Sequence, residues 1–377
     1  VEPLEGRIRP YAWGSRTAIA ALQGRSASAG PEAELWLGAH PDSPSLLPRP
    51  DGQISLLDLI AADPAALLGD AALERFGARL PFLLKLLAAE EPLSLQAHPG
   101  ARHAEQAYAA GRPGYRDGNH KPELLVAVSD FDALCGFAEP TASARALAGL
   151  GVPALEPVVA ALRAGDLRTA VATLLQWPDQ ERAELVAAVA SAGRNTTDAA
   201  EAGALAAELA ARYPADLGVV VALLLNRVLL RPGEAIWMPA GHLHAYLHGT
   251  GIEIMAASDN VLRGGLTPKS LDVPELLRVL RFEVLDDPVV PPVSVVQGVV
   301  TWSVPAPEFA LYRVRVDGST VVPALGPRIA LCLAGDVRVD DGVAEVRLAA
   351  GEAALGAAAA RPVSVTGRGE LYLATTG

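Results

Sequence analysis

Residues 232–269, PGEAIWMPAGHLHAYLHGTGIEIMAASDNVLRGGLTPK, decide how this chain is read. Gly233, Pro239, Gly241 and His244 stand at the spacing of a strand, a tight turn and a returning strand: Pro239 sets φ and Gly241 admits a positive φ. The returning strand carries His242, His244, Tyr246 and His248 at one parity, so a period of two predicts all four on one face. A single histidine is ordinarily a satisfied core or surface group. Three imidazoles and a phenol along one strand are hard to explain as packing alone, and metal ligation stands beside packing as the reading of this face. Glu253 follows between two isoleucines, either as an edge residue or as a pocket acid.

Length and composition bound what such a strand can belong to. A chain of 377 residues exceeds one compact core and predicts two or three domains. With 51% hydrophobic and 20% charged residues it can bury a large core, which argues against disorder. The apolar run 217–225 ends at Asn226-Arg227, too short for a bilayer span, and the opening VEPLEGRIRP has no apolar stretch of the kind that begins a secretion signal. Cys135 and Cys332, both in apolar surroundings, read as buried thiols, which makes a reducing cytoplasm the expected location. The net charge of −12 argues against a nucleic-acid or anionic-membrane partner. An anionic ligand would have to meet a local positive pocket. Lysine is scarce: of 31 Lys and Arg, only Lys85, Lys121 and Lys269 are lysines. Arginine is a fixed, permanently charged fork, whereas lysine is a compact charge whose proton can be lost, so these three are candidate functional groups.

Along the chain, Tyr11-Ala-Trp13-Gly14-Ser15 and Glu34-Leu-Trp36-Leu-Gly38-Ala-His40-Pro41 read as short strand and loop segments. His40, held extended by Pro41, either reaches the pocket or packs as a structural group. Residues 55–79 show helical spacing of leucines. In 81–100, PFLLKLLAAEEPLSLQAHPG, Lys85 interrupts a buried strand, which is costly unless an anion meets it. Ser94, Gln96 and His98 then share a strand face, offering a hydroxyl, an amide oxygen and an imidazole, and Glu123 in GNHKPE adds a carboxylate. Residues 139–213 turn Ala-rich and predict four or five short helices, breaking near Gly151, Gly165, Trp177-Pro178 and Gly193-Arg194-Asn195. Candidate ligands flank this region, so it reads as an insertion into a unit that is discontinuous in sequence. A helix is expected at 274–280, and the Val-rich, turn-punctuated residues 290–377 predict a β-sandwich. There Gly351-Glu352-Ala353 faintly repeats Gly233-Glu234-Ala235 with every candidate ligand missing, as in a second copy without metal. No HExxH, Walker A loop or helix-opening GxGxxG occurs, so nucleotide chemistry is not indicated.

The spacing from Gly233 to His244 resembles the second motif of the cupin superfamily, small β-barrels that hold a metal between two sheets. Gln96-Ala-His98-Pro, Asn119-His-Lys-Pro-Glu123, Ser258-Asp-Asn-Val-Leu-Arg263 and Leu266-Thr-Pro-Lys269 resemble signature motifs of the type I phosphomannose isomerases. That resemblance covers roughly the first 140 residues and 216–272; Leu243 stands where the family often has Pro, and Gly264 where Ala is common. It implies a mainly β chain with an α insertion: two cupin-like β-barrels or jelly rolls plus an Ala-rich helical domain. The expected division is a catalytic unit of 1–138 and 216–285, a helical insertion of 139–215 and a C-terminal sandwich of 286–377 without metal ligands. By position, Gln96, His98, Glu123 and His244 are the implied ligands of one Zn²⁺, with other divalent ions able to replace it. Lys121, His120, Glu253 and Asp259 are the candidate proton carriers, Arg263 stabilises developing negative charge, and Lys85, Ser94 and Lys269 are assigned to a phosphate. The implied reaction is a metal-dependent aldose–ketose isomerisation of mannose 6-phosphate and fructose 6-phosphate, with a sugar phosphate as partner and the chain a monomer or homodimer. Two other functions would use such a pocket: a cupin oxidoreductase with Fe²⁺ and oxygen, and a non-catalytic sugar-binding cupin.

Overall fold

The computed structural model describes residues 1–193, 199–359 and 361–377. In chain order the first strands are β1 (Glu2–Leu4), β2 (Arg7–Arg9), β3 (Glu34–Leu37), β4 (Leu46–Arg49), β5 (Gly52–Ser55), β6 (Phe82–Ala89) and β7 (Leu95–Ala97). Then come β8 (Glu123–Ala127), β9 (Phe131–Phe137), β10 (Leu225–Leu230), β11 (Ala235–Met238), β12 (His244–Ala256) and β13 (Leu262–Gly265). The last group is β14 (Val289–Val290), β15 (Val293–Val296), β16 (Val299–Thr301), β17 (Ala310–Val322), β18 (Arg328–Asp340), β19 (Glu345–Ala349), β20 (Ala353–Gly356) and β21 (Val363–Thr375).

The chain is mainly β with helices, as its motifs predict. An 11-stranded sheet runs β14-β11-β8-β12-β6-β3-β2, with β7, β9, β10 and β13 curling off β12. An 8-stranded sheet runs β1-β20-β18-β21-β17-β16-β15, with β19 on β18. The two seven-strand paths match step for step. Val126 of β8 lies between Ala235 and Ile252, as Leu331 of β18 lies between Ala353 and Tyr372. The faint GEA repeat marks this match. Gly233 (φ 94°) and Gly351 (φ 83°) turn the chain alike, and Glu234 and Glu352 each accept a backbone N–H three residues back, from Arg231 and Ala349, at 2.8 Å. The edges are exchanged: β14 closes the first sheet against β11, and β1 closes the second against β20.

Among the described residues between 139 and 213, five α-helices form: Pro140–Gly149, Glu156–Arg163, Leu167–Leu175, Arg182–Gly193 and Ala200–Arg212. Glu139 and Asp166 cap the first and third through the backbone N–H groups of Ala142 and Thr169, and Gly151 and Gly165, both at positive φ, follow the first two. Of the predicted breaks, Arg194-Asn195 falls outside the described residues. Leu147, Val158, Val171, Leu174 and Leu209 of these helices share one core with Leu95, Leu134, Ala245 and Leu247 of the first sheet. Burial of each such side chain contributes about 1.5–3 kcal/mol. A second core joins the sheets themselves, packing Leu35, Leu84, Leu124 and Ile254 against Trp302, Phe309, Leu331 and Tyr372.

Candidate metal and substrate site

Glu123 opens β8, the strand flanked by β11 and β12, and His244 opens β12 directly after the turn at Gly241 (φ 87°). His98 follows β7, which pairs with both β12 and β13. Together these elements bury His98, Glu123 and His244 to 2%, 1% and 1% exposure. His98 Nδ1 lies 2.8 Å from the Asn260 carbonyl and His244 Nδ1 lies 3.0 Å from the His242 carbonyl. A carbonyl only accepts, so each Nδ1 donates and each Nε2 keeps its lone pair. Those lone pairs face the carboxylate: His98 Nε2 is 3.4 Å from Glu123 Oε1 and His244 Nε2 is 3.2 Å from Oε2. Both Nε2 atoms and Glu123 Oε2 are buried without a hydrogen-bond partner, and one ligand atom from each residue lies within 4.8 Å of the others. Acceptors converging on acceptors in a dry interior repel one another unless a cation sits among them. The donor set fits a divalent metal such as zinc. Burial, then the charge of Lys121, lowers His98 to about 4, which keeps the ring neutral. Burial would raise Glu123, but the charge of the Lys121 ammonium outweighs it and holds the carboxylate well below its ordinary range.

A cavity of ≈ 1580 Å³ opens beside this cluster, bordered by Gln96, Lys121, Glu123, Glu253, Asp259 and Arg263. Lys121 Nζ is 2.9 Å from Glu123 Oε1, so the two side chains point the same way, as an extended NHKPE segment predicts. Deeper on the same wall, Lys85 Nζ is 2.8 Å from Glu253 Oε2 and 3.7 Å from Glu34 Oε1. Tyr246 donates its hydroxyl to Glu253 Oε1 at 2.9 Å, and Trp36 Nε1 donates to Glu34 Oε2 at 2.6 Å. Burial would lower Lys85, yet Glu253 and Glu34 more than offset it and raise the ammonium well above its ordinary range. Burial and Glu253 likewise raise the Tyr246 phenol well above 10. Asp259 accepts at 2.9 Å from His40 Nε2, whose Nδ1 takes the Asp42 backbone N–H at 3.2 Å; hydrogen bonding to His40 comes first in lowering this carboxylate. Arg263, half-buried on β13, has no carboxylate partner among the described residues, and desolvation lowers its pKa.

Of the candidates named from sequence, Gln96, His98, Lys121, Glu123, His244, Glu253, Asp259 and Arg263 come together around the metal cluster and cavity. Lys85 and Ser94 line the same cavity, and Lys269 reaches it from an exposed position. Three expectations change. His120 points away from the cavity, its Nε2 2.7 Å from Glu308 Oε1 on the C-terminal side. Lys85, assigned from sequence to a phosphate, instead meets two carboxylates, Glu253 and Glu34. The four-residue histidine face also breaks up. His242 precedes β12 and turns to Glu283, and His248 is exposed beyond a register shift after Tyr246. Four buried or half-buried partners were not singled out: Glu34, Trp36, Asn260 and Asp117. Glu34 and Trp36 had a signal, a carboxylate and an indole at one parity in a four-residue apolar strand. Asn260 ties Arg116 N–H, Asp117 O and Asn119 O at 2.7–3.0 Å while its own carbonyl holds His98.

Residues 1–139 match the family profile "Phosphomannose isomerase type I, catalytic domain". Mannose-6-phosphate isomerase of Escherichia coli is 38% identical over 399 residues, covering 98% of this chain and 98% of that protein. The Homo sapiens mannose-6-phosphate isomerase is 34% identical over 355 residues, covering 85% of this chain and 83% of that protein. Among solved structures, a variant of phosphomannose isomerase from Salmonella typhimurium covers 100% of this chain and 99% of its own, at a TM-score of 0.91 and 34% identity. A mannose 6-phosphate isomerase bound with zinc and yttrium aligns at a TM-score of 0.89, with 34% identity and the same coverage. With the Escherichia coli and Salmonella typhimurium likenesses covering 98% and 100% of the chain, and with the paired imidazoles, carboxylate and cavity in place, the chain belongs to the type I phosphomannose isomerases, which are aldose–ketose isomerases.

Proposed function

We propose that this chain interconverts mannose 6-phosphate and fructose 6-phosphate with one divalent ion, Zn²⁺ or a substitute, held by His98, Glu123, His244 and the amide oxygen of Gln96. The observation that carries this reading is the set of unpaired buried acceptors on His98, Glu123 and His244, opening onto a cavity rimmed by cations. A metal bound there would supply Lewis acidity toward the substrate's C1 and C2 oxygens. The chain's own groups do the rest. Isomerisation breaks the C2–H bond of the aldose, leaves its electron pair as an enediolate, and forms a C1–H bond in the ketose while protons shift between O1 and O2. Lys121, Glu253 and Asp259 border the cavity with polar atoms and are the groups we assign to these proton transfers. The unpaired Arg263 guanidinium offsets negative charge on the enediolate oxygens. Ser94 and Lys269 face the same space and are the assigned phosphate contacts; His120 has no part in the transfer.

The matched strand paths support two cupin-like barrels, 1–138 with 216–285 and 286–377 apart from the exchanged edges β1 and β14, with a helical domain of 139–215 packed on the first. Among the described residues the cluster of candidate ligands lies in the first barrel. We take the substrate as the partner, with neither nucleic acid nor membrane involved, the chain as a cytoplasmic monomer or homodimer. NMR of mannose 6-phosphate with the protein in D₂O tests the reading. Fructose 6-phosphate should accumulate with deuterium bookkeeping at C1 and C2 and no oxygen uptake, stop with a chelator and resume with Zn²⁺. Oxygen consumption would indicate the oxidoreductase, saturable binding without turnover the sugar-binding cupin, and full activity in verified metal-free protein would overturn the ligand assignment.

A further inference from the structure

The matched registers give positions along the first sheet's seven-strand path counterparts in the second sheet. Glu253 pairs with Lys85, and its counterpart Leu373 pairs with Tyr312. Ala245 pairs with Leu134 as Val365 pairs with Val339, which puts Ser364 at the place of His244. Glu123 pairs with Met238, and at the corresponding step of β18 Arg328 pairs with Gly356. A carboxylate, an ammonium and an imidazole are thus replaced by neutral groups, while the ligand Glu123 is replaced by a cation.

Arg328 is 1% exposed and heads the largest fully buried side chains. Its guanidinium donates from Nε to the Gly326 carbonyl at 3.0 Å, from Nη2 to the Ala357 carbonyl at 3.1 Å and from Nη1 to the Arg361 carbonyl at 3.4 Å. A planar fork of donors facing main-chain oxygens from two loops is what a guanidinium binds well and a point cation does not. Asp341 supplies the compensating charge nearby. A cavity of ≈ 530 Å³ bordered by Gly326, Ala358 and Thr375 adjoins these loops, and Thr375 Oγ1 is a buried oxygen without a partner among the described residues.

We propose that Arg328 is the built-in cation of the second sheet, filling a cage of carbonyl oxygens at the place where the first sheet presents Glu123, and that the emptied cage is a binding site for guanidinium compounds. The comparison with Glu123 rests on the ligand assignment above, but the cage does not, and its test needs no turnover.

Arg328→Ala opens the cage while leaving its oxygens. Thermal melts should fall by several degrees, and millimolar methylguanidinium should recover much of that loss through preferential binding to the folded state, whereas methylammonium should not. Calorimetry should count one methylguanidinium per Arg328→Ala chain and none for the wild type. A folded Arg328→Ala protein with no saturable methylguanidinium binding overturns the proposal. If that variant does not fold, Arg328→Met decides: it fills similar volume without donors, so an unchanged melting temperature overturns the proposal and a lowered one supports it. Metal content and mannose 6-phosphate turnover on the same samples report on the first sheet separately, so either reading can fail alone.

Discussion

Lys85 shows how far a single residue could be read in advance. Its cost in an apolar strand was legible, and so was the need for an anion. The anion's identity was not, because Glu34 and Glu253 lie in strands brought beside β6 only by sheet order. The same reasoning separates two roles. A lysine that binds substrate phosphate can be removed with a rise in KM and little loss of stability. A lysine holding two buried carboxylates cannot. Lys85→Met should therefore lower stability by about 3–5 kcal/mol, the range for breaking a buried ion pair, and reduce kcat more than it raises KM by leaving Glu253 unheld. Denaturant melts with steady-state kinetics check both; a higher KM at unchanged stability would return Lys85 to the phosphate. The metal cluster was more legible, since His98, Glu123 and His244 each stand in a motif of unusual composition. Asn260 was less so, because the carbonyl it offers His98 is one that any residue possesses and the partners of its amide lie far away in sequence.

At the scale of elements, strand–turn–strand spacing around Gly241 and the capped helices of the insertion followed from local chemistry. The four-residue histidine face failed at both ends: β12 begins only at His244, leaving His242 in the turn, and a register shift after Tyr246 turns His248 out, which period-two reasoning cannot foresee. The helix expected at 274–280 forms as Val273–Val279, but the partners of its Glu275 were silent in sequence: it gathers His103 Nε2 at 2.6 Å, the Tyr115 hydroxyl at 2.8 Å, Arg278 Nη1 at 3.1 Å and Arg112. This clamp fastens the helix Ala101–Ala109 and the loop leading to Arg116 and Asp117, beside the site. Burial would raise Glu275, but hydrogen bonds from His103, Tyr115 and Arg278 dominate and hold it at about 2 instead of 4.5. A carboxylate depressed by folding stabilises above its unfolded value and loses that contribution as pH falls through its folded value. Glu275→Gln should thus melt below the wild type near neutral pH, with the gap closing as pH drops from about 4.5 toward 2. A gap independent of pH across that window would mean the clamp works through shape alone.

For the whole molecule, the GEA repeat hinted at a second copy, but strand order and the exchange of edges were beyond reach because pairing between residues far apart leaves no local pattern. The shared core between the sheets and the exchanged strands β1 and β14 predict that the chain unfolds as one unit. Removing metal from the first sheet should lower a single melting transition, with the fluorescence of Trp302 in the joint core following far-ultraviolet dichroism. Two separate transitions, with Trp302 indifferent to a chelator, would show the sheets to be independent. The exchanged edges also bear on how the chain could be divided. Each sheet borrows the strand that blunts its own border, so the arrangement is that of a domain-swapped dimer written on one polypeptide. A half expressed alone would keep its lid strand and lack its own, leaving a row of unpaired backbone groups as a template for its neighbours, and the remedy available to it is to trade strands with another copy and rebuild the same pair between two chains.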